Sequence, residues 1–250
     1  MNEAAQPTRL VAPLWHTAII LALLFGMSAI NALTHHFAGL PHQPGAQHRS
    51  HFIMYGATLI WEWVLFALVY WGLLLRRTPL RQLLGLRRQG AVEVWTDIAI
   101  AVGFWFASLL VLGAIGFLLR FAHLHPEDIR GIVSQMAPVS GGELTLWIAL
   151  SISAGICEEL IFRGYLQQQF TALTRHIWLG IAISAVFFGL AHGYEGTSGM
   201  LLIMVYGAFF GTLAHLRRSL RAGMFAHAWQ DSVSGIVLYI GNHLLHRIPH

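Results

Sequence analysis

Glu158-Glu159-Leu160-Ile161-Phe162-Arg163 is the stretch that decides how this chain folds. It places two acids and an arginine inside an apolar run, Leu144 to about Phe170, that is long enough to span a bilayer. Each charge near the bilayer centre costs about 2.5 to 3.5 kcal/mol on insertion scales, so three unpaired charges would oppose insertion by about 8 to 10 kcal/mol. They must be paired, protonated or turned toward a wet cavity. On a helix, positions four apart share a face and adjacent positions are rotated by about 100°. The expectation is an internal Glu159–Arg163 ion pair, with Glu158 pointing elsewhere as a candidate general base.

The rest of the chain agrees with a membrane setting. Of its 250 residues, 56% are hydrophobic and only 10% charged, and the mean hydropathy is +0.61. Those values exclude a soluble domain of this length and give an all-α fold, a polytopic transmembrane bundle of about seven or eight helices. The formal charge of +4 does not imply nucleic acid, because the basic residues are all arginines clustered between apolar runs. The single cysteine, Cys157, excludes an internal disulfide and reads as a small buried apolar residue rather than a nucleophile.

Apolar runs of spanning length fall at about 14–35, 52–75, 95–119, 144–169, 177–193, 198–216 and 222–241. The first reads as a transmembrane helix rather than a cleavable leader. His35-His36 to Ser50 reads as a polar loop, and its histidines are too irregularly spaced for a metal site. Glu62, between Trp61 and Trp63, is an intramembrane acid left outside the catalytic set. Arg76 to Arg88 reads as a basic amphipathic segment on the membrane surface. Alternating spans put Arg9, Arg76, Arg77, Arg81, Arg87, Arg88, Arg175, Arg217, Arg218 and Arg221 on one side, and only Arg49, Arg120, Arg130 and Arg247 on the other. That asymmetry predicts a cytoplasmic N-terminus; the expected location is a cell membrane, taken as the plasma membrane of a bacterium. The loop from Phe121 to Gly142 divides N-terminal helices, 1–143, from a C-terminal core, 144–241, with a short tail, 242–250.

Further polar residues mark the last runs. His227 and Asp231 are four apart, about 6 Å from each other on one helical face. His192 ends the fifth run, and His215, which ends the sixth, reads as interfacial and structural. A carboxylate and a histidine can polarise a water, while a second histidine can donate to an oxyanion. The same Glu158, His192 and His227 are also a familiar zinc set, and spacing leaves both schemes open. At about 1.5 Å per residue, His192 lies about 24 Å from the start of its run and His227 only about 8 Å from the start of its own. Bringing them together needs a shifted boundary, a strong tilt or a broken helix near Gly189 or Gly193. Gly207 and Gly211 form a Gly-x-x-x-Gly pattern suited to close packing within the bundle.

Glu158-Glu159-x-x-x-Arg163, Phe188-x-x-x-His192 and His227-x-x-x-Asp231, in that order on successive apolar helices, resemble the three motifs of the CPBP family. That family comprises CAAX-type prenyl endopeptidases and Abi-like bacteriocin-processing proteins. The resemblance covers about residues 144–241. It implies an intramembrane endopeptidase in which Glu158 and His192 activate water, His227 and residue 231 stabilise the oxyanion, and Glu159 with Arg163 supports them. Many members carry Asn where this chain has Asp231, and an ionised Asp cannot donate to an oxyanion. Its expected roles are therefore a protonated donor, an orienting group for His227 or a metal ligand. No cofactor is favoured, although members are often called metalloproteases and zinc is compatible with the residues. The expected partners are a membrane-associated peptide or protein substrate and the bilayer. The competing readings are a non-catalytic immunity or partner-binding protein of the same fold, and an ion-coupled transporter, which internal symmetry would favour and the sequence does not show.

Overall fold

The computed structural model describes residues 9–37, 51–85, 90–121 and 136–245. Arg87, Arg88, the 38–50 part of the first polar loop, the 122–135 part of the second, and the tail beyond residue 245 lie outside the described residues. The described elements are α1 (Leu14–Phe37), α2 (His51–Leu75), a short α3 (Leu80–Leu84), α4 (Ala91–Phe121) and α5 (Gly141–Glu158). A π-helical segment (Glu159–Leu166) leads into α6 (Gln167–Thr174), followed by α7 (Ile177–Ala191), a 3-10 turn (Gly193–Glu195), α8 (Gly196–Arg217) and α9 (Arg221–Leu245). The chain is an all-α integral membrane protein. Among the described residues, His51–Leu75, Ala91–Leu118, Gly141–Thr174 and Gly193–Arg217 are long and apolar enough to cross a bilayer. Leu14–Gly26 and Ile177–Ala191 are shorter apolar helices. α9 has the length, but Arg221, His227, Gln230 and Asp231 dilute its apolar character.

Large apolar side chains such as Trp95, Leu110 and Phe117 face outward from α4. Such a surface is stable only against lipid. The interior is built on the Gly141–Thr174 rod, which the other helices surround. Ser140 opens it by accepting the Glu143 N–H at 3.2 Å, a helix N-cap. The expected continuous α-helix over 144–169 is interrupted: from Glu159 to Leu166 the backbone takes the wider π turn, with the Gln167 N–H reaching back five residues to the Phe162 carbonyl. Every side chain of that segment is buried, so neighbouring helices over-determine its geometry. The Phe162 carbonyl also accepts the Ser184 hydroxyl of α7 at 2.7 Å.

The mismatch in depth between His192 and His227 is resolved by where their helices begin. α7 starts at the foot of the rod: a Cβ on Gly180 would lie 2.0 Å from the Thr171 hydroxyl. α9 starts higher, where a Cβ on Gly164 would lie 3.1 Å from Leu220. From Thr174 up to Gly164 is about 15 Å at helical rise, the offset that the two histidines require. α9 then runs antiparallel to α5, so close that a Cβ on Gly155 would sit 2.8 Å from the Met224 carbonyl oxygen. His192 itself ends α7, and the turn that follows closes at Gly196 with φ of 77°, a conformation that favours glycine.

Polar contacts at Gln169, His16 and Asp97 tie the N-terminal helices to this core. Gln169 accepts the N–H groups of Val11 and Ala12 at 2.9 and 3.3 Å and donates to the Ala12 carbonyl at 2.8 Å, pinning the start of α1. His16 donates from Nε2 to the Leu68 carbonyl at 2.9 Å and so accepts the Tyr165 hydroxyl at Nδ1, 2.8 Å away. On α4, the buried Asp97 is gripped by two arginines. Arg217 bonds its Oδ1 at 3.2 and 2.7 Å, and Arg221 approaches Oδ2 with its Nε at 2.8 Å. Among the described residues, the basic segment after α2 forms the five-residue α3, and its Leu84 carbonyl accepts the Leu220 N–H of the α8–α9 turn at 3.1 Å. Replacing Asp97 with Ala leaves two arginines facing each other without their acid. The expected result is a loss of about 2 kcal/mol, below the roughly 3 to 5 kcal/mol of a fully buried pair because both arginines keep some solvent contact. Thermal unfolding of the detergent-solubilised protein measures it.

Candidate active site

Arg163 is the anchor of the site. Its guanidinium is 2% exposed and its partner Glu159 is fully buried, with Nη1 to Oε1 at 2.7 Å. Two aromatic faces close over it, Phe188 at 4.2 Å and Phe210 at 4.9 Å from ring centroid to Cζ. Nη2 reaches the Gly207 carbonyl at 3.4 Å, and one turn further along, the Gln167 amide donates to the Gly211 carbonyl at 3.2 Å. The Gly-x-x-x-Gly face of α8 therefore packs inside the bundle. The missing side chains let its backbone carbonyls approach the buried polar groups of the rod.

Glu159 does more than pair with Arg163. Its Oε1 lies 3.1 Å from Nδ1 of His227 on α9, whose ring is also buried. An ionised carboxylate only accepts, so Nδ1 of His227 carries the hydrogen and Nε2 is the nitrogen left to work. That Nε2 stands 3.7 Å from Oε2 of Glu158 and 3.5 Å from Oδ2 of Asp231. Asp231 is thus placed beside His227, and its backbone carbonyl is fixed by the Trp147 indole N–H at 2.8 Å.

His192 arrives from the other side. Its Nδ1 lies 2.8 Å from the Phe188 carbonyl one turn back, which fixes the hydrogen on Nδ1 and leaves the Nε2 lone pair bare. Nε2 faces Oε2 of Glu158 at 4.0 Å. Phe188 is shared by the whole cluster, packing edge-on to His192 at 4.8 Å and to His227 at 6.2 Å while its face covers Arg163. Oε2 of Glu158 takes no direct hydrogen bond from the described residues. Both imidazoles stand just too far for one, at 4.0 and 3.7 Å.

Residues 140–233 match the family described as Rce1-like, Type II CAAX prenyl endopeptidase Rce1-like. The similarity is confined to these residues. No curated protein and no solved structure matches the chain. The Rce1-like segment contains every candidate site residue read from the sequence, and the fold brings Glu158, Glu159, Arg163, His192, His227 and Asp231 into one cluster.

Zinc held by two imidazole nitrogens and a carboxylate oxygen needs donors about 3.3 Å apart, from bonds of about 2.0 to 2.1 Å at tetrahedral angles. The Glu158 oxygen is 4.0 and 3.7 Å from the two nitrogens. Among the described residues no group of three His, Cys, Asp or Glu side chains is set to hold a metal ion. The donor set does not fit zinc as arranged.

Several contributors carried little sequence signal. Phe210 on α8 completes the box around Arg163, and nothing in its local sequence distinguishes it from other apolar residues of that helix. The Glu159–His227 bond spans 68 positions and follows from no local spacing. Cys157 is fully buried, with Ser153 Oγ 3.9 Å from its sulfur, out of reach of any substrate. His215 packs edge-on to Trp178 at 5.8 Å, a structural contact. Arg163→Ala takes from the buried Glu159 the guanidinium paired with it at 2.7 Å. About 3 to 5 kcal/mol of stability should go with it, seen as loss of monodisperse protein in size-exclusion chromatography.

Proposed function

We propose that residues 144–241 form the catalytic core of an intramembrane endopeptidase, which hydrolyses a peptide bond near the membrane surface without a metal. The observation that carries this reading is the convergence of two Nε2 atoms on one carboxylate oxygen, Glu158 Oε2, with both ring tautomers set by separate bonds at Nδ1.

The chemistry follows from those tautomers. A water between Glu158 and His192 donates one hydrogen to the carboxylate and the other to the bare Nε2 of His192. Glu158 removes its proton as the oxygen attacks the peptide carbonyl carbon. Negative charge then moves to the carbonyl oxygen. His227, with Nδ1–H already given to Glu159, donates to that oxyanion from Nε2 as the imidazolium. Asp231 cannot donate while ionised; lying 3.5 Å from the same nitrogen, it acts by orienting and charge-balancing His227. Collapse of the tetrahedral intermediate breaks the C–N bond, and Glu158 returns its proton to the leaving nitrogen.

The substrate class is proposed from the family. Its description names prenyl endopeptidases acting on CAAX sequences, so a membrane-associated peptide or protein, with a prenylated CAAX-type C-terminus as first choice, is the expected substrate. The basic asymmetry of the sequence supports an N-terminus and an α8–α9 turn on the cytoplasmic side.

Cleavage of a prenylated CAAX peptide by the detergent-solubilised protein tests the reading. Glu158→Gln should lower kcat by about 100-fold or more while the protein stays folded. Unchanged cleavage by that variant would leave the non-catalytic partner-binding reading in its place. Protein stripped with a chelator, and shown to be zinc-free by elemental analysis, should keep its full rate. Loss of activity restored by stoichiometric zinc would reverse the mechanism.

A further inference from the structure

Glu62 lies in the middle of α2, between two tryptophans, and is 6% exposed. It stands on the stripe of Tyr55, Glu62, Leu65, Val69 and Gly72 that α2 turns inward. In that stripe it is the charged member, and a buried carboxyl group without a partner is costly in a bilayer. α2 and the Gly141–Thr174 rod run side by side in the same direction. His51 N–H donates to Glu143 at 3.1 Å, and the Tyr55 ring packs edge-on to Trp147 at 5.3 Å. Further along, Leu68 meets His16, which bonds Tyr165. Between those contacts, residue 62 falls level with Ala154 to Glu158. Ser153 faces it from α5, and the charged groups whose fields act on it are Glu158, His227 and Asp231, the members of the site. Its Oε2 is buried and takes no hydrogen bond from the described residues.

We propose that Glu62 is a positioning residue of the active site, its carboxyl group sharing a proton with Glu158, directly or through Ser153. The shared O–H holds the Glu158 oxygen turned away from the histidines. Oε2 is thereby left fixed, ionised and aimed at the water it shares with His192. No bond is made or broken, and the proton remains between the two acids. The proposal rests on Glu158 being the base. It also accounts for an acid in an apolar stripe that a leucine or methionine would fill at lower cost.

Two readouts on the full-length protein test it. On the prenylated CAAX peptide, Glu62→Met should lower kcat by about 10- to 100-fold with KM little changed, as expected when a reacting group loses its positioning. Glu62→Gln, whose amide N–H can still donate, should stay within about 5-fold of wild type. Glu62→Met should melt at or above the wild-type temperature, since an apolar side chain replaces a buried acid. Wild-type kcat in Glu62→Met, or equal losses in the Met and Gln variants, overturns the proposal. The second readout needs no substrate. The infrared difference spectrum of wild type minus Glu62→Gln should contain a protonated-carboxyl carbonyl band, and that band should shift in Glu158→Gln. Absence of the band, or an unshifted one, also overturns it. Failure of the endopeptidase reading shows separately, as wild-type protein that cleaves no faster than Glu158→Gln.

Discussion

A single buried cation, Arg163, sets the terms for the rest of the molecule. Left alone in the interior, a guanidinium would cost several kcal/mol even after relaxation. It is instead clasped by Glu159 at 2.7 Å, by two aromatic faces and by a backbone carbonyl. Each partner fixes a helix. Glu159 fixes the π segment, Phe188 fixes α7, and Gly207 with Phe210 fixes α8. Glu159 has a second acceptor direction, and His227 uses it, so α9 is placed by the same charge. The working nitrogen of His227 is therefore a consequence of how Arg163 is neutralised.

The same economy explains why the site is assembled from separate helices. Each imidazole has one nitrogen bonded within the scaffold, His192 to a carbonyl one turn back and His227 to a carboxylate across the bundle. The opposite nitrogens then point inward without freedom to rotate. Glu158 lies one residue before Glu159, so it leaves the rod on a neighbouring face. It meets the histidines near the join of α5 and the π segment, midway along the rod and partly open to solvent. Glu159 is sealed while the Glu158 side chain is partly exposed, a division made by one step along the helix.

Much of this was legible in the sequence because the membrane makes charges conspicuous. Glu158, Glu159 and Arg163 stand out in an apolar run, and i, i+4 geometry alone predicted the Glu159–Arg163 pair that the structure contains. The long helices followed from hydropathy. Less was legible where local spacing carries no information. A straight α-helix through Glu159–Leu166 was expected, but tertiary contacts imposed a π turn there. The offset starts of α7 and α9 depend on close approaches at Gly180 and Gly164, which hydropathy cannot register. The grip of Arg217 and Arg221 on Asp97 reads in the sequence only as a topological bias of positive charge. Glu62 was visible as an intramembrane acid, but its nearness to Glu158 required the register of α2 against the rod.

The central claim is that both imidazoles are locked with hydrogen on Nδ1, so that each turns Nε2 toward Glu158. Nitrogen-15 NMR of histidine-labelled protein, with His192 and His227 assigned by substituting each in turn, measures this directly. The account predicts a protonated Nδ1 in both rings and a bare Nε2 in His192. A neutral Nε2–H tautomer in either ring would contradict it.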